Sequence, residues 1–415
     1  MPGAGPILLF DKSVLQSLSI DESVWLDTFY FPCITPLFFV ETLADLEKEV
    51  QKGRTPEEVV GNLAEKTPIG GAINVHHRTL CVSELLGHGS ELRHVPVVSG
   101  GQPVTTSDGR RAVVFEPPPE TAALERWQER NFLEVERRFA RAWRDALSGI
   151  DLDAVFKQGR GIIKRLGRPR DLSAVKEAAA EILRKSGSRY VTDALQAFQP
   201  EDLGRAVLER WEAHGSPPIK KFAPYTAHLF LVDLFFSIGL GADLIGRERP
   251  SNKIDLAYLY YLPFCMAFTS SDNLHERTAP LFLDENQVFI RGHALKADLA
   301  KLDAHYSLLS DEEKASGVMS FAHYPPVDGD FLVSRMWDKL MSPEWRQHAT
   351  KPPKWRSKES EAEIAARIRE VAEAPRTAIV PFVAGEPDSV LIERKVPLQR
   401  GKWRMFPPGV EKTSK

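Results

Sequence analysis

The chain opens with a short apolar run that ends in an acid. Residues 6–10 carry no polar side chain and are followed by Asp11, a pattern typical of a strand buried on both faces of a parallel sheet. We therefore expect Asp11 at the carboxyl end of a first strand. Residues 12–18 predict a helix or a turn after it.

The next apolar pattern has helical spacing. Thr35 suits the N-cap of a helix and Pro36 its first position. The apolar side chains that follow recur every three or four residues. This spacing places Glu41 and Asp45 on one side of the predicted helix.

The middle of the chain changes character twice. Residues 66–119 are rich in Gly, Val and Thr and predict a hairpin of strands 95–98 and 103–106, with a further turn at 107–110 before strand 112–115. From residue 120 to about 215 the pattern is helical, for example over 122–147 and 172–186. Residues 228–240 are strongly apolar but too short to span a bilayer, and they contain Asp233, so we expect a buried helix in a soluble protein.

A second acid-bearing unit lies near residue 260. Residues 254–262 predict a helix that Pro263 stops, and 264–269 predict a short strand that leads to Asp272. If the helix packs antiparallel to the strand, its start and the strand's end meet at one edge of the sheet. Asp255 and Asp272 would then be neighbours, and Asp11 would join them if the two strands are parallel.

These elements predict an α/β core with a parallel sheet, split by a mainly helical insertion. The predicted division is 1–65 for the first part of the core, 66–119 for a β-rich excursion, 120–222 for the helical insertion, 223–300 for the second part of the core, and 301–415 for a C-terminal extension with a basic tail.

Charge and cysteine content narrow the setting. The net charge of −3 gives no global positive field, so any nucleic-acid surface must be local. Residues 156–170 hold no acid and six basic residues, which are Lys157, Arg160, Lys164, Arg165, Arg168 and Arg170. Such a run can bind the phosphate backbone of a nucleic acid, or it can simply form a solvated face. The tail segment 351–358 is also basic, with Trp355 among its charges. Three distant cysteines and an N-terminus without a secretion signal indicate a reducing cytoplasm and no membrane.

Clustered carboxylates repel one another unless a cation neutralises them or one remains protonated. A hard ion with oxygen ligands, such as Mg²⁺, is the natural occupant of such a cluster.

Four segments that carry these acids resemble the motifs of the PIN-domain nucleases. Residues 10–15, with Asp11, look like the first motif, and residues 35–46 are similar to the segment with the family's helical glutamate, here Glu41. Residues 255–259, with Asp255, resemble the third motif. Residues 269–272, a hydroxyl segment ending in Asp272, resemble the fourth. The resemblance covers about residues 6–65 and 224–285.

The resemblance implies a three-layer α/β/α fold and a nuclease that depends on Mg²⁺ or Mn²⁺. It implies hydrolysis of phosphodiester bonds, in single-stranded RNA, with Asp11, Glu41, Asp255 and Asp272 as metal ligands and catalytic residues. Ser13, Thr269 or Ser270 would hydrogen-bond to and orient a carboxylate. Independently of the resemblance, Asp233 interrupts an apolar helix and needs a partner when buried, so we expect it to support the site or to bond to His228.

Other interpretations stay open. Each acid could serve a turn, a helix end or an exposed helix face, and His275 could contact substrate phosphate or lie on the surface. A haloacid-dehalogenase-type phosphatase is disfavoured, because the second aspartate that it needs is replaced by Ser13. The chain could instead be a catalytically silent PIN-like scaffold that binds RNA or a protein partner, a toxin or defence component, or a homo-oligomer.

Overall fold

The fold is that of a computed structural model, which describes residues 5–69, 71–89, 92–115, 119–148, 151–198, 203–247, 251–350, 366, 368–371, 389–392 and 396–407. The strands in chain order are β1 (Ile7–Phe10), β2 (Phe31–Ile34), β3 (Ala72–Ile73), β4 (Gly101–Thr105), β5 (Arg111–Phe115), β6 (Ala267–Ser270), β7 (Val288–Arg291), β8 (Ser389–Ile392), β9 (Gln399–Arg400) and β10 (Trp403–Arg404).

The helices are α1 (Lys12–Ser17), α2 (Ile20–Phe29), α3 (Pro36–Ala44), α4 (Leu46–Val50), α5 (Pro56–Ala64), α6 (His77–Leu85), α7 (Pro119–Gln128), α8 (Glu134–Ser148), α9 (Leu152–Leu166), α10 (Leu172–Lys185), α11 (Arg189–Phe198), α12 (Gly204–Ala213), α13 (Ile219–Phe222), α14 (Pro224–Gly241), α15 (Asn252–Ala257), α16 (Asn273–Phe282), α17 (Gly292–Ser307), α18 (Asp311–Ala315), α19 (Val318–Phe321), α20 (Leu332–Leu340) and α21 (Trp345–Thr350). A 3₁₀ helix (Tyr258–Phe264) directly follows α15.

Five parallel strands form the central sheet, in the order β3-β2-β1-β6-β7. The strand β1 is apolar throughout because both of its faces are covered. Leu9 belongs to one apolar core, which also contains most of α14, while Leu8 and Phe10 belong to a second core with Trp25 of α2. The predicted α/β class with a parallel sheet is therefore confirmed, and helices pack against both faces of that sheet.

The strand order contains a topological switch point. The chain first builds outward from β1 to β2 and β3, and it later returns to the other side of β1 with β6 and β7. Ligands of open α/β sheets bind beyond the carboxyl ends of the strands where the order reverses. In this fold that place lies between the ends of β1 and β6.

The long apolar segment forms the core helix α14. Among the residues described, this helix alone has the length and hydropathy of a candidate membrane span, and 72% of that window is buried inside the protein. The helix α9 crosses it closely at a pair of glycines, where a Cβ atom on Gly159 would lie 1.9 Å from the carbonyl oxygen of Ser237. The insertion is thus packed onto the core, not held away from it.

Several predicted boundaries are wrong. The hairpin consists of β4 and β5 and turns through Gly109, whose φ is +83°; residues 95–98 form no strand and instead bond to the segment around Asn74. The excursion 66–119 also contains α6, and its strand β3 belongs to the central sheet. The predicted helix 122–147 is divided into α7 and α8, because Arg130 has a left-handed φ of 59° between them.

The second half of the chain also departs from its predicted boundaries. The predicted helix 254–262 is a short α-helix followed by the 3₁₀ helix that includes Pro263, and the strand begins only at Ala267. The predicted boundary at residue 300 falls inside α17. Three tryptophans of the predicted extension are buried in the second core: Trp337, Trp345 and Trp403. The basic tail segment 351–358 lies outside the described residues.

Candidate functional site

Two of the predicted acids follow the strands at the switch point and cap the helices that begin there. Asp11 follows β1 and accepts a hydrogen bond from the backbone of Val14 in α1 at 3.0 Å. Asp272 follows β6 and accepts one from the backbone of Leu274 in α16 at 2.5 Å. Because β1 and β6 are parallel neighbours, both carboxylates lie at the same edge of the sheet.

Asp11 is held by hydroxyl groups on both sides. Ser13 Oγ donates to Asp11 Oδ1 at 2.7 Å, and Ser270 Oγ donates to Oδ2 at 2.5 Å. The Ser13 hydroxyl also accepts from the backbone N–H of Ser271 at 3.3 Å, which ties the ends of β1 and β6 together. Asp11 is 4% exposed, so its orientation is fixed within the protein.

A buried histidine completes this network. The Nε2 atom of His275 lies 2.5 Å from the carbonyl oxygen of Asp255, and Nδ1 lies 2.7 Å from Ser270 Oγ. A carbonyl oxygen only accepts, and the single proton of the Ser270 hydroxyl is donated to Asp11, so both ring nitrogens must donate. The hydrogen-bond pattern therefore makes His275 an imidazolium, 3.4 Å from the Asp11 carboxylate.

The pKa shifts agree with this assignment. Burial alone would lower the pKa of His275, but the hydrogen bond and negative charge of Asp11 outweigh it and raise the pKa to about 9. Burial tends to raise the pKa of Asp11, but His275 and the two serine hydroxyls hold it below its usual value. The two groups form a buried ion pair.

Glu41 of α3 faces the same cluster. The Tyr258 hydroxyl donates to Glu41 at 2.9 Å, and the buried ammonium group of Lys12 lies 3.7 Å from it and also bonds to Asp45. Burial raises the pKa of Glu41, and the charge of Asp11 adds to this, while Lys12 and Tyr258 oppose it only in part. The negative charge of Glu41 is thus only partly compensated.

Asp255 is the least compensated acid of the cluster. Among the described residues, its carboxylate has no hydrogen-bond partner. Burial raises its pKa to about 7, against the attraction of His275 and with the added repulsion of Glu41, Asp272 and Asp11. The other three predicted acids therefore all lie close enough to act electrostatically on Asp255.

The cluster keeps an excess of negative charge. Its five carboxylates, including Asp45 at the rim, face two cations, Lys12 and His275. Three negative charges remain when all groups are ionised. A divalent cation would compensate most of that excess, and carboxylate oxygens are the donors that Mg²⁺ and Mn²⁺ prefer.

The side chains are nevertheless not arranged around an ion as they stand. In the part of the chain that the structure describes, no group of three or more His, Cys, Asp or Glu side chains is placed to hold a metal ion. Asp11 is fixed by its hydrogen bonds, whereas the Asp255 carboxylate has none that would oppose its rotation. The donor chemistry suits a hard divalent ion, and rotation of carboxylates such as that of Asp255 would be needed to close the site.

The predicted supporting residues fall into two groups. Ser13 and Ser270 bond to Asp11. The prediction for Thr269 is wrong, because side chains alternate along β6 and the buried Thr269 hydroxyl finds no partner among the described residues. Asp233 does not contact the acid cluster: it accepts hydrogen bonds from Lys253 and, at 2.5 Å, from the Tyr260 hydroxyl. Nor does it bond to His228, which bonds to the Leu259 carbonyl.

A small cavity opens beside Asp272. Its volume is about 330 Å³, and its walls include the polar side chains of Asn252, Asn273 and Arg277. The Arg277 guanidinium donates to the Leu244 carbonyl at 3.2 Å. The cavity offers donors for an anionic group next to the acid cluster.

The basic run does not form one surface. Arg160 and Arg168 each lie 3.5 Å from the Asp243 carboxylate, and Arg170 pairs with Asp171. Arg165 faces the opposite side of α9 and lines a larger cavity of the insertion. Lys157 and Lys164 are exposed on α9.

Sequence reasoning missed the residues that neutralise and orient the acids. Lys12 directly follows Asp11, and Tyr258 lies three residues after Asp255, on the same side of the helical segment. The sequence predicts a substrate contact or a surface position for His275, but this residue is 1% exposed and bonds to the acid network. The spacing of three from Asp272 was the available signal.

Fold and site together define an α/β protein with an acid cluster at the switch point of a parallel sheet. Comparison of this chain with models of known families, with curated proteins and with solved structures gives no match.

Proposed function

We propose that the chain is a PIN-like nuclease that depends on Mg²⁺ or Mn²⁺ and hydrolyses phosphodiester bonds in single-stranded RNA. The observation that carries the proposal is the convergence of Asp11, Glu41, Asp255 and Asp272 at the switch point, with more negative charge than the local cations compensate. The order of these acids and the spacing of the last two resemble those of the PIN motifs, while more than 150 residues separate Glu41 from Asp255.

The four acids would hold the ion. When bound, it would supply an activated water and stabilise negative charge on the phosphoryl oxygens. Asp11 gives a fixed carboxylate, since Ser13, Ser270 and His275 set its orientation. Glu41 is positioned by Tyr258 in the same way.

The chain's own groups would support the site in two further ways. Burial and the neighbouring acids raise the pKa of Asp255 to about 7, so a bound cation would stabilise this carboxylate in particular by compensating its charge. The cavity beside Asp272 provides Arg277 and two asparagine amides for a substrate phosphate. Arg277 is exposed at its wall, so an approaching polymer would reach it.

The test is cleavage of single-stranded RNA with Mn²⁺ by the native chain and by the Asp11→Asn and Asp272→Asn variants. Both substitutions keep the shape of the side chain, so we expect the variants to fold, and circular dichroism can verify this. Asp311→Asn is the matched control, because Asp311 is a fully exposed acid in α18 whose ion-pair partner among the described residues is Lys314. We expect loss of at least about 100-fold in the first two variants and native activity in the control. Equal activity in all four proteins would rule the proposal out.

A second candidate function is a catalytically silent PIN-like scaffold that binds RNA or a protein partner. The observation in its favour is that Lys12 and His275 already occupy two of the acids, and that no described group of side chains is arranged to hold an ion as it stands. RNA binding by the native chain without any Mn²⁺-dependent cleavage would favour this candidate.

A further inference from the structure

A cavity of about 1060 Å³ lies between α9, α10, α11 and α14, which we call the insertion groove. Its walls are made of insertion residues together with the core helix α14. Lys253 of α15 is also part of its lining. Since Lys253 and Asp255 are two residues apart on that helix, their side chains point to nearly opposite sides, and the groove lies behind the acid cluster.

The polar lining of the groove is predominantly positive. Four cations reach it, Arg165, Lys185, Arg189 and Lys253, against two acids, Asp193 and Asp233. Asp233 is occupied by Lys253, and Asp193 lies 3.9 Å from Arg189. Arg165 donates to the carbonyl oxygen of Gly161 at 3.4 Å and has no carboxylate partner among the described residues.

Aromatic rings stand beside these cations. Tyr190 and Phe230 both line the groove, with ring centroids 5.3 Å apart and planes tilted by 48°. Both rings are partly exposed, whereas Phe236, which also lines the groove, is buried. Cations next to partly exposed rings are the pair of features with which proteins bind single-stranded nucleic acids, since bases stack on the rings and phosphates contact the charges.

We infer that the insertion groove binds a short segment of single-stranded nucleic acid, with phosphates on Arg165, Lys185 and Arg189 and a base against Tyr190. The volume of the cavity lies at the upper end of the range typical of small-molecule sites, about 300–1,000 Å³, so the groove has room for more than one linked nucleotide. The inference takes its ligand class from the proposed function, but it concerns binding and not cleavage.

Neighbouring cations provide a matched comparison. Arg165 lines the groove and Lys164 does not, and both lie in the last turn of α9. Likewise Lys185 lines the groove and Arg184 does not, and both lie in the last turn of α10 and pair with Glu181. All four are exposed. The double variants Arg165→Glu/Lys185→Glu and Lys164→Glu/Arg184→Glu therefore change net charge and helix-end charge equally.

The experiment measures binding of a fluorescent ten-nucleotide RNA by anisotropy in EDTA, over a range of salt concentrations. We expect the groove variant to bind at least about tenfold more weakly and its log–log salt slope to fall by about 1.4, the value for two lost phosphate contacts on a single strand. The control variant should stay within about threefold of native affinity. Tyr190→Leu should weaken binding with the salt slope unchanged, because it removes stacking and no charge.

Four results would overturn the inference. The first three are no RNA binding by the native chain, equal weakening in the two double variants, and competition by polyglutamate as strong as that by unlabelled RNA. The fourth is competition by a mononucleotide at the same concentration as the ten-nucleotide RNA, which would identify a small-ligand site instead of a strand. Because the assay contains no divalent ion, its failure is separate from that of the nuclease proposal, which the acid variants test.

Discussion

The buried charge of Asp255 should make the native protein less stable at neutral pH than the Asp255→Asn variant. The ordinary pKa of an aspartate is 3.8, and burial together with Glu41, Asp272 and Asp11 raises that of Asp255 to about 7. A difference of about 3 in pKa corresponds to about 4 kcal/mol, at about 1.4 kcal/mol for each pKa unit. The neighbouring acids titrate together with Asp255, and this coupling reduces the contribution of any single group. We therefore expect the free energies of unfolding of the two proteins to differ by about 2–4 kcal/mol.

The sign follows from proton linkage. Between pH 3.8 and 7 the folded state holds a proton that the unfolded state has lost, so the free energy of unfolding falls as the pH rises through this window. At pH 5 Asp255 is protonated in the folded state, and asparagine is a close mimic of it. At pH 8 the native chain carries the unfavourable charge and the variant does not.

The assay is thermal and denaturant unfolding of both proteins at pH 5 and pH 8, in EDTA. About a third of the window between pH 3.8 and 7 is already passed at pH 5, so the variant should exceed the native chain by about 1 kcal/mol there. At pH 8 it should exceed the native chain by about 2–4 kcal/mol, or about 2–4 °C for a chain of this length. His275 also favours the folded state less as the pH rises from 6.5 towards 9, but this affects both proteins. An equal difference at the two pH values would refute the reasoning.

Three further predictions concern other parts of the structure. His275→Gln should destabilise the protein by about 3 kcal/mol at pH 7, because it leaves Asp11 buried without its cation, and the loss should shrink as the pH approaches 9; urea unfolding at both pH values checks this. Gly159→Ala should destabilise the packing of the insertion on the core by about 2 kcal/mol or more, because the new Cβ atom would meet the Ser237 carbonyl. Gly161→Ala is the control and should have no such effect, because nothing lies within 4 Å of that position. Limited proteolysis should cut the first variant faster than the second. Trp403→Ala should cost about 3–5 kcal/mol, because Trp403 packs edge-on against Trp25 at 4.8 Å in the second core; unchanged unfolding would show that the C-terminal segment is peripheral.

Local sequence patterns were sufficient for the elements that carry the acids. The apolar run before Asp11 is β1, and the Thr35-Pro36 start gives α3 with Glu41 on it. The placement of Asp255 near Asp272 followed from the rise of a helix and a strand packed side by side. These features depend on short-range spacing, which a single sequence displays.

The residues of the site that the sequence did not predict depend on contacts between distant parts of the chain. Lys12 is buried because it meets Glu41 and Asp45, about thirty residues further along, and lysine is rarely buried without such a partner. His275 is charged because of Asp11, which precedes it by more than 250 residues. Neither contact leaves a periodic signal in the sequence.

The division of the basic run has the same origin. The buried positions Gly159, Ile162 and Ile163 fix the rotation of α9 against α14 and so decide that Arg165 enters the groove while Arg160 meets Asp243. The sequence displays this apolar stripe, but not the helix that covers it. The sequence alone therefore does not divide the six neighbouring cations between two surfaces.

Calorimetric titration of the native chain with Mn²⁺ at pH 7.5 tests most directly whether the acid cluster at the switch point holds a divalent ion. We expect one site, with a matching rise in melting temperature of about 3 °C at a Mn²⁺ concentration 100 times the dissociation constant. The same site should be retained in Asp311→Asn and lost in Asp272→Asn. Binding that survives in Asp272→Asn, or a native chain that shows neither heat nor stabilisation at millimolar Mn²⁺, would contradict it.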